Sequence, residues 1–489
     1  MSFFRDRLEG LIFGIAPIWG AERAAARMAV TEAERLANYR GSQATRLDRP
    51  NPASKGVSPD VMLERDYDRR DLVDRARQLE RSSVLANAML ARTAESVVGN
   101  GFALQCKTAD PEWNKATEKR FRAWSTKECD VRGLSSFNEL LALVLRSYLR
   151  DGDVAVVKLA SGSLRVVESD EIATPSGMIS PDLVDGVVLN QAGRPLAFMI
   201  TQQPRSISGD RRSIPNHVRV PAADVLFLAR RERAGQTRGI SAFAGVTWIL
   251  DQIDGNIEAV TVAARMAACF GLVIKRKRSA RGLDTETGPD GVARRKLRVE
   301  PGAFFEVEPD EDVKPIQGQQ HTQQFAEFTR TLARIASTSF GLPIELLLMD
   351  FEKTNYSNAR AALLQARKVW QLHQGLLKSF CSDVFQWWIL REMEQGAVPV
   401  REDALEHGWI APGWQWIDPV SEIQATLAAI DCGLQTKSEA LMMLGKDPEE
   451  QFEQIEKEAE ISARLGIDAK STLTRDKIAP AAPSTPPAT

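Results

Sequence analysis

Gly341–Arg360 reads GLPIELLLMDFEKTNYSNAR. Two strongly helical segments meet across it. On the N-terminal side, Thr322–Phe340 places Phe325, Phe328, Leu332, Ile335 and Ala336 at helical spacing. Gly341 suits a left-handed C-cap, and Pro343 blocks continuation. On the C-terminal side Ser357 reads as an N-cap, opening a helix to about Glu394 with no proline. Between them lies the mostly polar run Asp350-Phe351-Glu352-Lys353-Thr354-Asn355. A short polar loop held between two long helices projects from its fold and can be presented to a partner.

The long C-terminal helix carries Leu363, Leu364, Val369, Leu372, Leu376, Phe380, Val384 and Leu390. Gly375 in its middle costs about 1 kcal/mol relative to Ala. It marks a bend or is a tolerated glycine on a packed face; the residues leave both open. Residues 421–465 divide into two or three short helices. The stretch beyond, with Pro480, Pro483, Pro486 and Pro487, reads as a disordered tail.

Upstream, Gly239-Ile240-Ser241 opens a helix to about Ala268, with Ile249, Ile253, Ile257, Val260 and Ala264 on one ridge. Strand signals at Phe270–Ile274 and Phe304–Val307 flank a glycine-punctuated, charged insertion. The order there is helix, small β unit, helix. Earlier, helical patterns cover 20–48, Leu72–Val98, Glu112–Trp124 and Phe137–Leu149, with a linker at Arg49–Asp60. Asp151-Gly152-Asp153 turns the chain into alternating strands at Val154–Leu159, Leu164–Glu168, Gly186–Leu189 and Leu196–Thr201. Asn190–Gly193 is a hairpin connection. The fold class is α+β.

The 489 residues suggest about three domain-sized units. With 43% hydrophobic residues, they can bury sizeable cores. A net charge of −2 excludes a general polycation that coats nucleic acid. Five cysteines (Cys106, Cys129, Cys269, Cys381, Cys432) lie far apart without a CxxC, as in a reduced compartment. The apolar run Leu11–Trp19 is too short to span a bilayer. Pro17 and Trp19 interrupt it and the charged stretch Ala21–Arg35 follows, so it reads as a packing segment rather than a signal peptide. No membrane partner is expected. There is no G-x-x-x-x-G-K-[ST], HExxH, GxSxG or zinc spacing, so the chain shows no means of turning over a nucleotide. No catalytic residue, metal or cofactor is assigned.

Three clusters have rival readings. The insertion holds Lys275, Arg276, Lys277, Arg278, Arg281, Arg294, Arg295, Lys296 and Arg298, followed by Glu306, Glu308, Asp310, Glu311 and Asp312. These are intersubunit or partner docking surfaces, a solvated face, or direct DNA contacts. Asp151 and Asp153 with Glu168, Asp170 and Glu171 suggest a two-metal phosphoesterase, against ordinary turn chemistry. Trp370, Trp387, Trp388, Trp409, Trp414 and Trp416 cluster late. Base stacking is one reading; core or intersubunit packing is favoured, because Trp387 and Trp388 sit on an apolar helix face.

GLPIELLLMD followed by NYSNARAALL resembles the region around the tunnel loop of tailed-phage portal proteins, in the lambda-like group. The resemblance extends to RAGQTRGISAFAGV (Arg233–Val246), LRVEPGAFFEVEPDEDV (Leu297–Val313), WIDPVSEIQA (Trp416–Ala425) and GLQTKSEALMMLGKDPEE (Gly433–Glu450). These fragments follow the family's order across most of residues 30–465. Ser421 departs from the pattern, which usually has Lys there.

The resemblance implies a portal fold: an α/β wing with its N-terminal segment (1–238), stem helices (239–268 and 322–340) and a small β-containing clip (269–321). Residues 341–420 would supply the tunnel loop, a kinked long helix and the return to the wing, 421–466 a helical crown, and 467–489 the tail. It implies a ring, typically of twelve copies, at the unique capsid vertex. The ring would pass double-stranded DNA without sequence specificity. It would also dock the terminase large subunit, head-completion or adaptor proteins, and major capsid or scaffold protein. Lys353, Thr354, Asn355 and Tyr356 become DNA-contacting loop candidates. One lysine per subunit makes a positive ring beside the phosphates. Read without the family, Lys353 pairs with Glu352 or Asp350. A DNA-binding adaptor using the basic insertion is the other alternative.

Overall fold

A computed structural model describes residues 60, 68–178, 180–202, 216–275, 285–287, 293–295, 303–307, 322–351, 355–415 and 417–465. The chain divides into Met1–Arg65 and Asp66–Thr489, and every element below lies in the second unit. The helix expected at 20–48 and the expected tail fall outside the described residues.

Helices α1 (Asp68–Ser82) and α2 (Val84–Val98) replace the single helix expected over Leu72–Val98. Ser83 is extended (φ −100, ψ 120), and the Ser82 hydroxyl donates to the Gln78 carbonyl. Short hydroxyl side chains compete for backbone partners and favour such breaks. Strand β1 (Ala103–Cys106) follows, then α3 (Pro111–Trp124). The Asp110 side chain caps α3 by accepting from the Glu112 and Trp113 amides. Helix α4 (Phe137–Arg150) opens on a reciprocal Ser136–Glu139 capping box.

Next come β2 (Asp153–Lys158), β3 (Leu164–Val167), β4 (Leu183–Val184), β5 (Val187–Leu189), β6 (Pro195–Gln202), β7 (Asn216–Pro221) and β8 (Val225–Ala229). They form two antiparallel sheets, ordered β3-β2-β8 and β4-β5-β6-β7. Asn190 closes the β5–β6 hairpin as expected, its side-chain oxygen accepting from the Ala192 and Arg194 amides. A small core of Val157, Val167, Ile172, Val187, Phe198 and Ile200 joins the sheets.

Helix α5 (Thr247–Cys269) begins eight residues later than the expected Gly239. Residues 242–246 form turns held by bonds such as Ala244 N–H to the Ser241 carbonyl, and the Ala242 N–H is tied to the Leu149 carbonyl at the end of α4. Strands β9 (Phe270–Lys275) and β12 (Ala303–Val307) pair in parallel. Within the insertion β10 (Thr285–Thr287) and β11 (Ala293–Arg295) make an antiparallel hairpin that the sequence patterning did not indicate. Helix α6 (Thr322–Ser337) packs along α5 and ends in a 3-10 turn to Phe340. A short α7 (Ile344–Leu348) precedes α8 (Tyr356–Glu394). The chain then forms β13 (His407–Ile410), α9 (Pro419–Asp431), α10 (Lys437–Met443) and α11 (Pro448–Leu465). Strand β13 pairs with β1, some 300 residues earlier.

The 39 residues of α8 span about 58 Å at 1.5 Å per residue. Its buried residues include Leu377, Phe380, Cys381, Val384, Phe385, Trp388 and Ile389, a single apolar stripe. Phe121 of α3 meets Trp124, Phe385, Trp388 and Trp409 at ring-centroid distances of 5.1–6.0 Å. Trp370, Trp388 and Trp409 are therefore core residues, and none offers a face to a base. Truncating a buried aromatic of this kind costs about 3–5 kcal/mol.

Candidate functional site

The Asp-Gly-Asp turn does not form a metal site. Gly152 has φ 93, and a Cβ there would lie 2.5 Å from the Ile240 carbonyl carbon, so only glycine fits. The turn sends Asp151 and Asp153 into separate arginine networks, both carboxylates fully buried. Asp151 accepts from Arg77 (Nη2 2.9 Å, Nε 3.2 Å) and from Arg150 (Nε 2.7 Å, Nη2 2.8 Å). Asp153 accepts from Arg238 (Nε 2.8 Å, Nη2 3.0 Å), the Gly239 amide (2.8 Å) and the Ser169 hydroxyl. Guanidinium and amide donors occupy the oxygens a metal would need. Glu171 is paired with Arg165, and Asp170 with Arg77. The phosphoesterase reading is thereby corrected: these are structural ion pairs.

Arg238 is the centre of the second network. It is 2% exposed and donates to the Ile172, Asp185 and Ser169 carbonyls as well as to Asp153. Arg69 of α1 adds bonds to Asp185 (2.6 Å) and Ser169 (2.8 Å). Burial pushes the Asp153 carboxyl up, but Arg238, Arg69 and the hydrogen bonds outweigh it and hold it below its ordinary value. Asp185 is lowered in the same way. This hub joins α1, both sheets and the chain that leads into α5. Sequence reading named Asp153 but not Arg238, which has no local pattern to mark it.

Beyond the hub, α5 changes character. Ile249 and Ile253 are buried at 5% and 0%, whereas Ile257 and Val260, on the same ridge, are 45% and 38% exposed. On α6 the expected stripe is split. Ala336 is buried, while Phe328 and Ile335 are 53% and 48% exposed. The two helices leave apolar side chains uncovered along their shared length.

The return from α6 follows the sequence reading closely. Gly341 is left-handed (φ 62, ψ 27) and Pro343 ends the preceding turn, though the short α7 intervenes. Met349 is left-handed too (φ 53), a conformation costing a non-glycine residue about 1–2 kcal/mol. Asp350 is ion-paired with Arg330 of α6, fixing the start of the loop. Asn355, not Ser357, caps α8: its side-chain oxygen accepts from the Asn358 amide at 2.9 Å. Asn355 is exposed and Tyr356 is the first residue of α8. Lys353 and Thr354 lie outside the described residues. So do Arg276, Lys277, Arg278, Arg281, Lys296 and Arg298 of the insertion. Lys275 ends β9, and Arg294 and Arg295 lie in β11, where Arg294 is in register with Glu286.

Residues 44–374 match the family described as "Phage portal protein, lambda family". The chain belongs to this family. A probable portal protein of Halomonas phage phiHAP-1 is 23% identical over 431 residues, covering 82% of each chain. Among solved structures, the chain is similar to one titled "Neck of native GTA particle computed with C12 symmetry". The identity is 16% and the TM-score 0.42, with 76% of this chain and 94% of that one covered. A chain of the "Virion of native gene transfer agent (GTA) particle" gives 15% identity and a TM-score of 0.44, covering 77% and 94%. The family match spans strands β1–β12, α5, α6, the return segment and the first half of α8 of this portal chain. Among the described residues no helix is long and apolar enough to cross a membrane.

Proposed function

We propose that this portal chain assembles as a ring, with twelve subunits the expected number, at one vertex of a phage or prophage head. Double-stranded DNA passes through the ring during packaging and ejection. The observation that carries this reading is the family match across residues 44–374. The uncovered apolar ridges of α5 and α6 support it, because contiguous apolar surface marks an interface. The role is structural: the chain positions DNA and docks other proteins, and a separate terminase supplies ATP hydrolysis. In this reading α5 and α6 are the stem, the insertion between them the clip, and α9–α11 the crown. Lys275, Arg294, Arg295 and the other basic residues of the insertion meet a neighbouring subunit's acidic run or the terminase. Head-completion proteins and scaffold or major capsid protein are the further partners. Assembly takes place in the host cytoplasm, and the finished ring stays in the virion.

Lys353, Thr354, Asn355 and Tyr356 form the loop facing the DNA. Weak, sequence-independent phosphate contact suits a sliding channel, since tight binding would stall it. Native mass spectrometry with negative-stain imaging of the same sample tests the ring directly. Rings of about twelve subunits with a central hole support it. A monomer or dimer that persists at high concentration with scaffold present rejects it in favour of a DNA-binding adaptor. For the loop, Lys353→Ala should assemble normally and package or retain DNA poorly. Defective assembly with normal packaging by the surviving particles would reject that role.

A further inference from the structure

The C-terminal helices leave a groove against the middle of α8. It has a volume of about 1380 Å³ and lies between α8, the segment after β13, and helices α9 and α10. Leu434 and Met443 on its rim are 83% and 70% exposed. Gly375 lies in its wall, and a Cβ built there meets nothing within 4 Å. Lys368 and Lys378 stand on the α8 side. No carboxylate among the described residues pairs with either. The two carboxylates lining the groove are already engaged. Glu422 faces Arg360 at 3.6 Å, and Glu439 accepts from the Thr436 amide in its capping box. The groove is thus apolar with a positive wall.

Helix α11 offers the complement. One face is tied to α3 through Arg122–Glu450 (2.8 Å) and Lys115–Glu453, and the Gln105 amide reaches Asp447 just before the helix (2.8 Å). Another face carries Phe452, Ile455 and Ala459, spaced at three and four residues; the first two are 44% and 51% exposed. Glu449, Glu456 and Glu460 run beside this stripe at spacings of seven and four. Lys368 and Lys378 are about 15 Å apart along α8, at 1.5 Å per residue; Glu449, in the first turn of α11, also lies near Lys115 of α3.

We infer that the groove of one subunit receives α11 of a neighbouring copy, its apolar stripe on the floor and its glutamates against Lys368 and Lys378. The chain's own α11 is committed to α3. A groove and a helix that match between copies make a heterologous contact, the kind that builds a ring when its rotation closes. The inference deepens the ring reading and rests on it.

A Cβ at Gly375 meets nothing within 4 Å, so Gly375→Trp should occupy the groove in a subunit that still folds. The purified full-length variant should keep the wild-type Tm or exceed it, while ring yield falls at least tenfold. In a second test, Met443→Cys and Ile455→Cys are combined with Cys432→Ser, which removes the exposed thiol among the described residues, and with Cys269→Ser. Mild oxidation should give a ladder of covalently linked subunits. A disulfide within one chain, no disulfide, or Gly375→Trp rings at wild-type yield would overturn the inference. If wild-type rings form, such results leave the portal ring standing. A wild-type chain that forms no ring under nucleating conditions overturns both.

Discussion

The turn into β2 and the paired helices α5 and α6 treat their difficult side chains in opposite ways. At the turn into β2, the buried carboxylates are answered by arginines inside the chain. Asp151 faces two arginines, Asp153 is held by Arg238, and Asp185 by Arg69. Along α5 and α6, the apolar residues Ile257, Val260, Phe328 and Ile335 are left in solvent. The first region is complete as a single subunit. The second leaves apolar surface in solvent among the described residues. In the proposed ring, the difference separates what holds one portal subunit together from what would join subunits.

Breaking the complete region should have the largest effect. Arg238→Ala leaves Asp153 buried without its counter-ion, and removing one partner of such a pair costs about 3–5 kcal/mol. Urea unfolding of the isolated subunit reads this loss. Acid should act on the same residues. Asp153, Asp170 and Asp185 sit below their ordinary values in the folded chain. Their stabilisation is full above the unfolded carboxylate range, near pH ~4. It is lost as the pH falls through the folded values.

The incomplete region should respond in reverse. Phe328→Glu changes exposed surface, so the isolated subunit's stability should move by no more than about 0.5 kcal/mol. Ring formation should fail. An unfolded variant, or normal rings, would show that Phe328 does not belong to an interface.

The smallest expected effect lies where α3 meets the C-terminal helices. Burial pushes Glu118 up to about 7, with the nearby Asp447, Glu449 and Glu450 adding to the shift. A raised carboxyl stabilises fully below its unfolded value and loses that contribution as the pH rises through 7. Glu118→Gln keeps an acceptor for the Cys106 amide, 2.7 Å away. It should raise Tm by a few degrees at pH 8 and hardly change it at pH 5. Equal effects at both pH values would contradict the assignment.

Local rules made much of this legible. Gly341, Pro343 and the Asn190 hairpin all act on neighbours a few residues away, and all stand where the sequence placed them. The misplacements are also local: Ser83 splits a helix, and Asn355 wins the cap from Ser357. The Arg238–Asp153 pair, 85 residues apart, and the β1–β13 ladder were not legible, because tertiary structure alone brings them together. The helical spacing of Phe328 and Ile335 was visible, but periodicity cannot say whether a face meets its own core or another copy. The loop and clip candidates came from resemblance to a family and rest on it still.

Hydrogen–deuterium exchange on the free subunit and on the assembled ring tests the contrast most directly. Assembly should slow exchange along residues 254–265 of α5 and 325–335 of α6 by tenfold or more, and leave β2 unchanged. Equal exchange along α5 and α6 in both forms would contradict the claim that these ridges join the subunits.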